Sequence, residues 1–135
     1  KTAWPPTSRN EFAGQIEDFI SLVKKQMPHT AILLTTPPEC YKRVYVNKKR
    51  TYVRNENTER AAKAIVEVAR REGLACWDLF ASTGGKNSSA RWRKTGLMGR
   101  DRVHFTKEGY QEQGILLYRA LMQTYNRYIA DNDVR

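Results

Sequence analysis

A chain of 135 residues with 40% hydrophobic content has the size and apolar share of one packed domain, which excludes a disordered tail or a multi-domain array. Its formal charge of +10 brings anionic partners into view, while two cysteines and two histidines without ligand spacing lead us to expect neither a metal nor an organic cofactor. No stretch approaches the roughly 20 apolar residues that a membrane span requires, and no signal peptide is visible.

Trp4-Pro5-Pro6 reads as extended, because proline removes amide donors and restricts the residue before it. Ser8 and Glu11 fit a capping box. Phe12, Ile16, Phe19, Ile20, Val23 and Met27 then trace one helical face that Pro28 ends, with His29 in the following turn. Ala31–Thr36 reads as a strand stopped by Pro37-Pro38. The segment Cys40–Arg54 holds Lys42, Arg43, Lys48, Lys49, Arg50 and Arg54 without one acid, and Tyr41, Tyr45 and Tyr52 interleave with them. Val44–Val46 and Thr51–Val53 read there as a hairpin turning at Asn47–Arg50, with lysine-rich edges that discourage aggregation. Basic residues among tyrosines also suit nucleic acid, a reading we set below the solvated hairpin.

A second helix spans Asn57–Arg71, burying Ala61, Ala62, Ile65, Val68 and Ala69, with Gly73 as its C-terminal cap. The second strand is Ala75–Leu79, and Cys76 within it reads as core packing. A bridge between Cys76 and Cys40 is left open. A polar loop, Ser82–Arg91, carries Gly84-Gly85. Thr106 caps a last helix whose stripe is Tyr110, Gly114, Leu117, Leu121, Tyr125 and Tyr128. Strands alternating with helices imply an α/β fold with a parallel sheet buried on both faces. Two strands make a poor parallel sheet, so further strands are expected from a missing segment, another chain or a rearrangement.

The chemistry concentrates in Asp101-Arg-Val-His104, just ahead of the last helix. A carboxylate three residues before a histidine on one short loop can hold the imidazole in one tautomer, as a general base requires. Asp101-x-x-His104 followed by Phe-Thr-x-x-Gly-Tyr resembles the last sequence block of the SGNH (GDSL-type) esterases and acylhydrolases. Ala31–Pro38 is similar to the fourth core strand of that fold with its proline-bearing exit. Trp92 and Gly96–Asp101 are similar to the approach to the Asp/His block. The resemblance runs from near Ser8 to the end of the chain.

It implies the C-terminal part of a three-layer α/β/α, flavodoxin-like fold with parallel strands. By the same resemblance the parent protein is a serine esterase, secreted or periplasmic, that removes acyl groups such as acetyl from carbohydrate or envelope polymers. Asp101 and His104 become two members of its catalytic triad. Thr36, at the strand exit, and Trp92 are the candidates for substrate contact.

The family's Gly-Asp-Ser block, with the nucleophile, is absent here, and by the resemblance its Gly-x-Asn block would precede residue 1. The chain is therefore expected to be inactive alone, and to self-associate or pair with the missing half. Ser8, Ser21, Ser82, Ser88 and Ser89 are the serines present; of these Ser88 and Ser89, near Gly84-Gly85, best fit a substitute nucleophile. The alternative is a basic, non-catalytic module that binds a polyanion or nucleic acid.

Overall fold

Two amphipathic helices and two short strands form the first half of the architecture. The structure, a computed structural model, describes residues 9–132. The expected extended Trp4-Pro5-Pro6 and the Ser8 cap lie outside the described residues. Contacts divide the chain into two units, one made of residues up to Glu39 together with Asn55–Lys86, the other of Cys40–Arg54 and residues from Asn87 onward.

In the first unit, α1 (Arg9–Gln26) packs against α2 (Glu56–Glu72), with β1 (Leu33–Thr35) and β4 (Ala75–Trp77) beside α2. The strands pair in parallel, Leu33 opposite Ala75 and Thr35 opposite Trp77. The parallel α/β pairing follows the alternation of helix and strand in the sequence. Asn55 caps α2 by accepting the Asn57 amide, and Gly73, at φ 64°, closes it in the left-handed conformation open to glycine. The buried side of α2 is Ala62, Ala64, Val68 and Ala69, whose small side chains admit close approach of the strands. Ile20 is the buried anchor of α1. Ion pairs Arg71–Glu17 and Lys24–Glu72 tie the exposed edges of the two helices, where such pairs contribute little.

Both strands are shorter than the sequence suggests. Ala75–Leu79 ends at Trp77 because the Asp78 carboxylate caps a one-turn helix, α3 (Leu79–Ser82), by accepting the Ala81 amide. A groove is lined by Phe12, Ile16, Phe19, Leu34 and Ile65, and Leu33 on β1 is half-exposed. Phe19 and Met27, expected on a buried helical face, are 64% and 51% exposed.

The second unit begins with a hairpin, β2 (Tyr41–Val46) and β3 (Lys49–Arg54). Its turn is two residues, Asn47-Lys48, both at positive φ, shorter than the expected Asn47–Arg50. That pair of angles belongs to the tight turn whose twist matches paired strands. Ser88–Arg91, expected in a loop, opens instead a short helix, α4 (Ser88–Lys94).

The last helix, α5 (Lys107–Asn132), starts as expected at Thr106, whose hydroxyl accepts the Gly109 amide. Its apolar stripe is not core: Tyr110, Leu121, Tyr125 and Tyr128 are all more than half exposed. Gly109 is the buried point of α5, and a Cβ there would run into the Leu97 carbonyl oxygen and approach Phe105. The same Leu97 carbonyl accepts the Thr106 amide at 3.1 Å. The glycine of the Phe-Thr-x-x-Gly-Tyr motif is thus fixed by close approach of the helix to the preceding chain.

Gly109 and Gly114 share one helix but differ in surroundings, since nothing lies within 4 Å of a Cβ added at Gly114. Gly109→Ala should destabilise the fold by about 2 kcal/mol or more, as backbone must shift to admit the methyl. Gly114→Ala should stabilise it by about 0.5–1 kcal/mol through helix propensity. Urea denaturation of both variants, read by circular dichroism, checks the opposite signs.

Candidate active site

Between α4 and α5 the chain makes a small antiparallel turn. Met98 pairs with Phe105, and the Gly99 amide donates to the His104 carbonyl at 2.8 Å. The Arg102 amide donates back to the Gly99 carbonyl, and the Thr106 hydroxyl donates to the Gly96 carbonyl. Beneath the turn, Phe105 packs edge-on against Trp92, with ring centroids 5.3 Å apart, and against Tyr110 at 5.7 Å. Apolar packing and main-chain bonds therefore hold the turn from both ends.

Asp101 and His104 sit at its tip. One carboxylate oxygen of Asp101 accepts the amides of Val103 and His104, at 3.0 and 3.1 Å. The other meets His104 Nδ1 at 2.6 Å. One oxygen thus fixes the turn, and the other fixes the ring. The carboxyl is held down at about 2, from an ordinary 3.8, chiefly by the His104 hydrogen bond and next by the two amides. At neutral pH it is a carboxylate, so Nδ1 carries the proton and Nε2 is the basic nitrogen. The His104 side chain is 73% exposed, which leaves Nε2 open to a reacting group.

Arg102, between the pair, lies at φ 59°, a conformation that L side chains rarely adopt. Its guanidinium stands 5.3 Å from the Tyr41 ring centroid and 5.0 Å from that of Tyr52, and its carbonyl accepts the Tyr41 amide at 2.9 Å. Two cation–π contacts and a main-chain hydrogen bond offset the backbone cost, and they attach the β2–β3 hairpin to the Asp101–His104 turn. Sequence reasoning misses this residue. Its left-handed backbone has no local signal, since glycine or asparagine is the usual occupant.

The other candidates are placed differently. Thr36 is buried, its hydroxyl donating to Asp78 at 2.8 Å and accepting the Phe80 amide, so it braces the end of β1. Trp92 is half-buried against Phe105. Ser88 and Ser89 are each 2% exposed in the first turn of α4, closed to a substrate. Cys40 and Cys76 form no disulfide, and burial pushes the Cys76 thiol up. His29 is in the turn after α1. Among the described residues no group of side chains has the makings of a metal site, and no helix is long and apolar enough to cross a membrane.

The lowered Asp101 carboxyl makes its contribution to stability depend on pH. A carboxyl depressed in the folded state stabilises fully above its unfolded value of 3.8, and that contribution is lost as pH falls through about 2. Asp101→Asn should therefore be less stable than the parent chain near neutrality, by no more than about 1 kcal/mol because the pair is solvent-screened. The difference should close in strong acid. Thermal melts of both chains across that range check the sign.

The family model of the GDSL-like lipases and acylhydrolases matches residues 3–112. Among solved structures the chain is similar to a peptidoglycan O-acetylesterase, at 22% identity and a TM-score of 0.76, over 92% of this chain and 35% of that one. It is also similar to the esterase domain of the ORF1 protein of the zebrafish ZfL2-1 retrotransposon, at 17% identity and a TM-score of 0.56, over 86% and 60% of the two chains. The chain thus spans about a third of the first and three fifths of the second, 35% and 60% of their lengths. At these identities the likeness is one of fold. No curated protein matches the chain significantly. The α/β fold with parallel strands is shared with these esterases, and the family match runs through the Asp101–His104 turn into α5: the chain belongs to the GDSL-like lipase/acylhydrolase family.

Proposed function

We propose that this chain supplies the Asp–His pair of a serine-type ester hydrolase that removes acyl groups, acetyl in particular, from carbohydrate or envelope polymers. The observation that carries the reading is the 2.6 Å contact between Asp101 and His104 Nδ1, on a turn that fixes both residues and leaves the imidazole exposed. Family membership supports the reaction class. The polymer substrate is inferred by analogy with one structural neighbour, a peptidoglycan O-acetylesterase.

In this reading the nucleophilic serine belongs to a part of the protein outside these residues. No hydroxyl among the described residues is hydrogen-bonded to His104, and the buried Ser88 and Ser89 are no substitutes. His104 Nε2 takes the serine proton as its oxygen bonds to the acyl carbon. The same proton then goes to the leaving alkoxide as the tetrahedral intermediate collapses to the acyl-enzyme. Water, deprotonated by Nε2, releases the acid and restores the serine. Throughout, Asp101 orients the ring and stabilises its cationic form.

His104→Ala in the whole protein should lower turnover of an activated acetate ester by roughly 10³-fold or more, with little change in folding. Near-parental turnover would remove the assignment. The 135-residue chain alone should show no turnover above its own His104→Ala variant, because acyl-enzyme formation and much of the electrostatic stabilisation need the serine and its oxyanion site. A steady-state assay on both forms checks the pair of outcomes.

A further inference from the structure

The pairing of β2 with β3 sorts the basic hairpin into two unlike faces. Tyr41 lies opposite Arg54, Arg43 opposite Tyr52, and Tyr45 opposite Arg50. Directly opposed residues project to the same face of a strand pair, and alternate residues along a strand do likewise. One face is therefore tyrosine and arginine alone, in a checkerboard where every cross-strand pair joins one of each. The opposite face carries Lys42, Val44, Val46, Lys49, Thr51 and Val53. Charge is present on both faces, but the planar guanidinium and the aromatic ring are confined to one.

That face is organised and reaches the candidate active site. Arg50 donates to the Tyr52 hydroxyl at 3.1 Å and stands 5.8 Å from the ring centroid. Tyr45 and Arg43 are exposed, Tyr45 to 67%. At the base of the hairpin, Arg102 covers Tyr41 and Tyr52, and Arg102 directly follows Asp101 in the turn that carries His104. The base of the checkerboard thus adjoins the turn that carries the exposed imidazole.

We propose that the tyrosine–arginine face of the β2–β3 hairpin binds an anionic sugar polymer and delivers its acyl ester to His104, with Arg102 as the residue that joins recognition to the catalytic turn. The delivery step and the preference for a glycan over nucleic acid rest on the esterase reading; the binding of a polyanion by this face does not. Guanidinium forks pair with carboxylate or phosphate groups in two parallel hydrogen bonds, which a lysine cannot reproduce. Tyrosine offers a flat apolar surface with a polar edge, suited to the face of a sugar ring. Positions on one face repeat about every 7 Å along a strand and about 5 Å across the ladder, comparable to successive sugars in a chain. Nucleic acid offers anions and flat rings as well. It is the less favoured occupant because the face leads to an ester-cleaving pair, and the ligand held there should carry the ester.

The test uses the full 135-residue chain and polygalacturonate, titrated at low and at physiological salt by tyrosine and tryptophan fluorescence, with dextran and random-sequence RNA alongside. Arg43→Gln combined with Arg50→Gln should weaken polygalacturonate binding by about tenfold or more, as two forked contacts are lost. Lys42→Gln combined with Lys49→Gln removes the same charge from the other face and should change binding by no more than about twofold. Arg43→Lys with Arg50→Lys should recover only part of the loss, and His104→Ala should bind as the parent does. Circular dichroism on every variant keeps folding apart from binding. Equal losses from the two faces, binding of neutral dextran as tight as that of polygalacturonate, or preference for RNA over the glycan would each overturn the proposal. None of these outcomes bears on the esterase reading, which stands or falls on turnover after His104→Ala.

Discussion

The Asp101 carboxylate has two oxygens with different partners, and the geometry of the site depends on that division. One oxygen is spent on the amides of Val103 and His104, which closes the turn on itself. Only because that oxygen fixes the carboxylate plane can the other meet Nδ1 at 2.6 Å without a long, mobile side chain searching for its partner. Order is built from bonds between main-chain amides and the Asp101 carboxylate within four residues, so little conformational entropy remains to be lost when the imidazole must be in place. An Asp–His pair assembled from distant elements would need tertiary packing for the same restraint. Here packing plays a secondary part. Phe105 between Trp92 and Tyr110, and Gly109 against Leu97, seat the whole turn on the start of α5.

The turn tolerates one unfavourable residue, and the compensation comes from far away in sequence. Arg102 at φ 59° costs on the order of 1 kcal/mol or more relative to an ordinary backbone. Its guanidinium between Tyr41 and Tyr52 and its carbonyl on the Tyr41 amide return that energy. The strain is thus distributed: the hairpin stabilises the turn, and the turn orders the base of the hairpin. A glycine at the same position would relieve the backbone and keep the carbonyl bond to Tyr41, but it would forfeit the two ring contacts that also tie the hairpin to the pair it adjoins.

The same distinction between local and distant causes explains how much is legible in the sequence. Asp101 and His104 stand out because a three-residue spacing ahead of a capped helix is a local pattern, and the carboxylate–imidazole contact is local too. Thr106 as N-cap and Gly73 as C-cap are legible for the same reason. The parallel strand pair follows from alternation of helix and strand. What escapes is tertiary. Arg102 gives no sign of its left-handed backbone, since the tyrosines that hold it, Tyr41 and Tyr52, lie far upstream. The helix at Ser88–Lys94 is hidden behind Gly84-Gly85 and Asn87, which read as loop. The strand at Ala75 is cut short by a cap that Asp78 makes only once Leu79 turns into helix.

Apolar periodicity is the signal that misleads most, and the reason is physical. A stripe at helical spacing records that a surface is apolar, not what covers it. Tyr110, Leu121, Tyr125 and Tyr128 share a stripe and are all more than half exposed, whereas the buried point of α5 is a glycine that no hydrophobicity scale would choose. Ala62, Ala64 and Ala69 similarly outrank Ile65 in burial on α2, because close approach to strands rewards small size over apolar area. Tyr41, Tyr45 and Tyr52 read in sequence as scattered aromatics in a basic run. The ladder of β2 and β3 gathers them on one face and gives arginine, not lysine, as every partner. Register, which a single sequence encodes only weakly, is therefore what turns a charge count into a surface with a chemistry of its own.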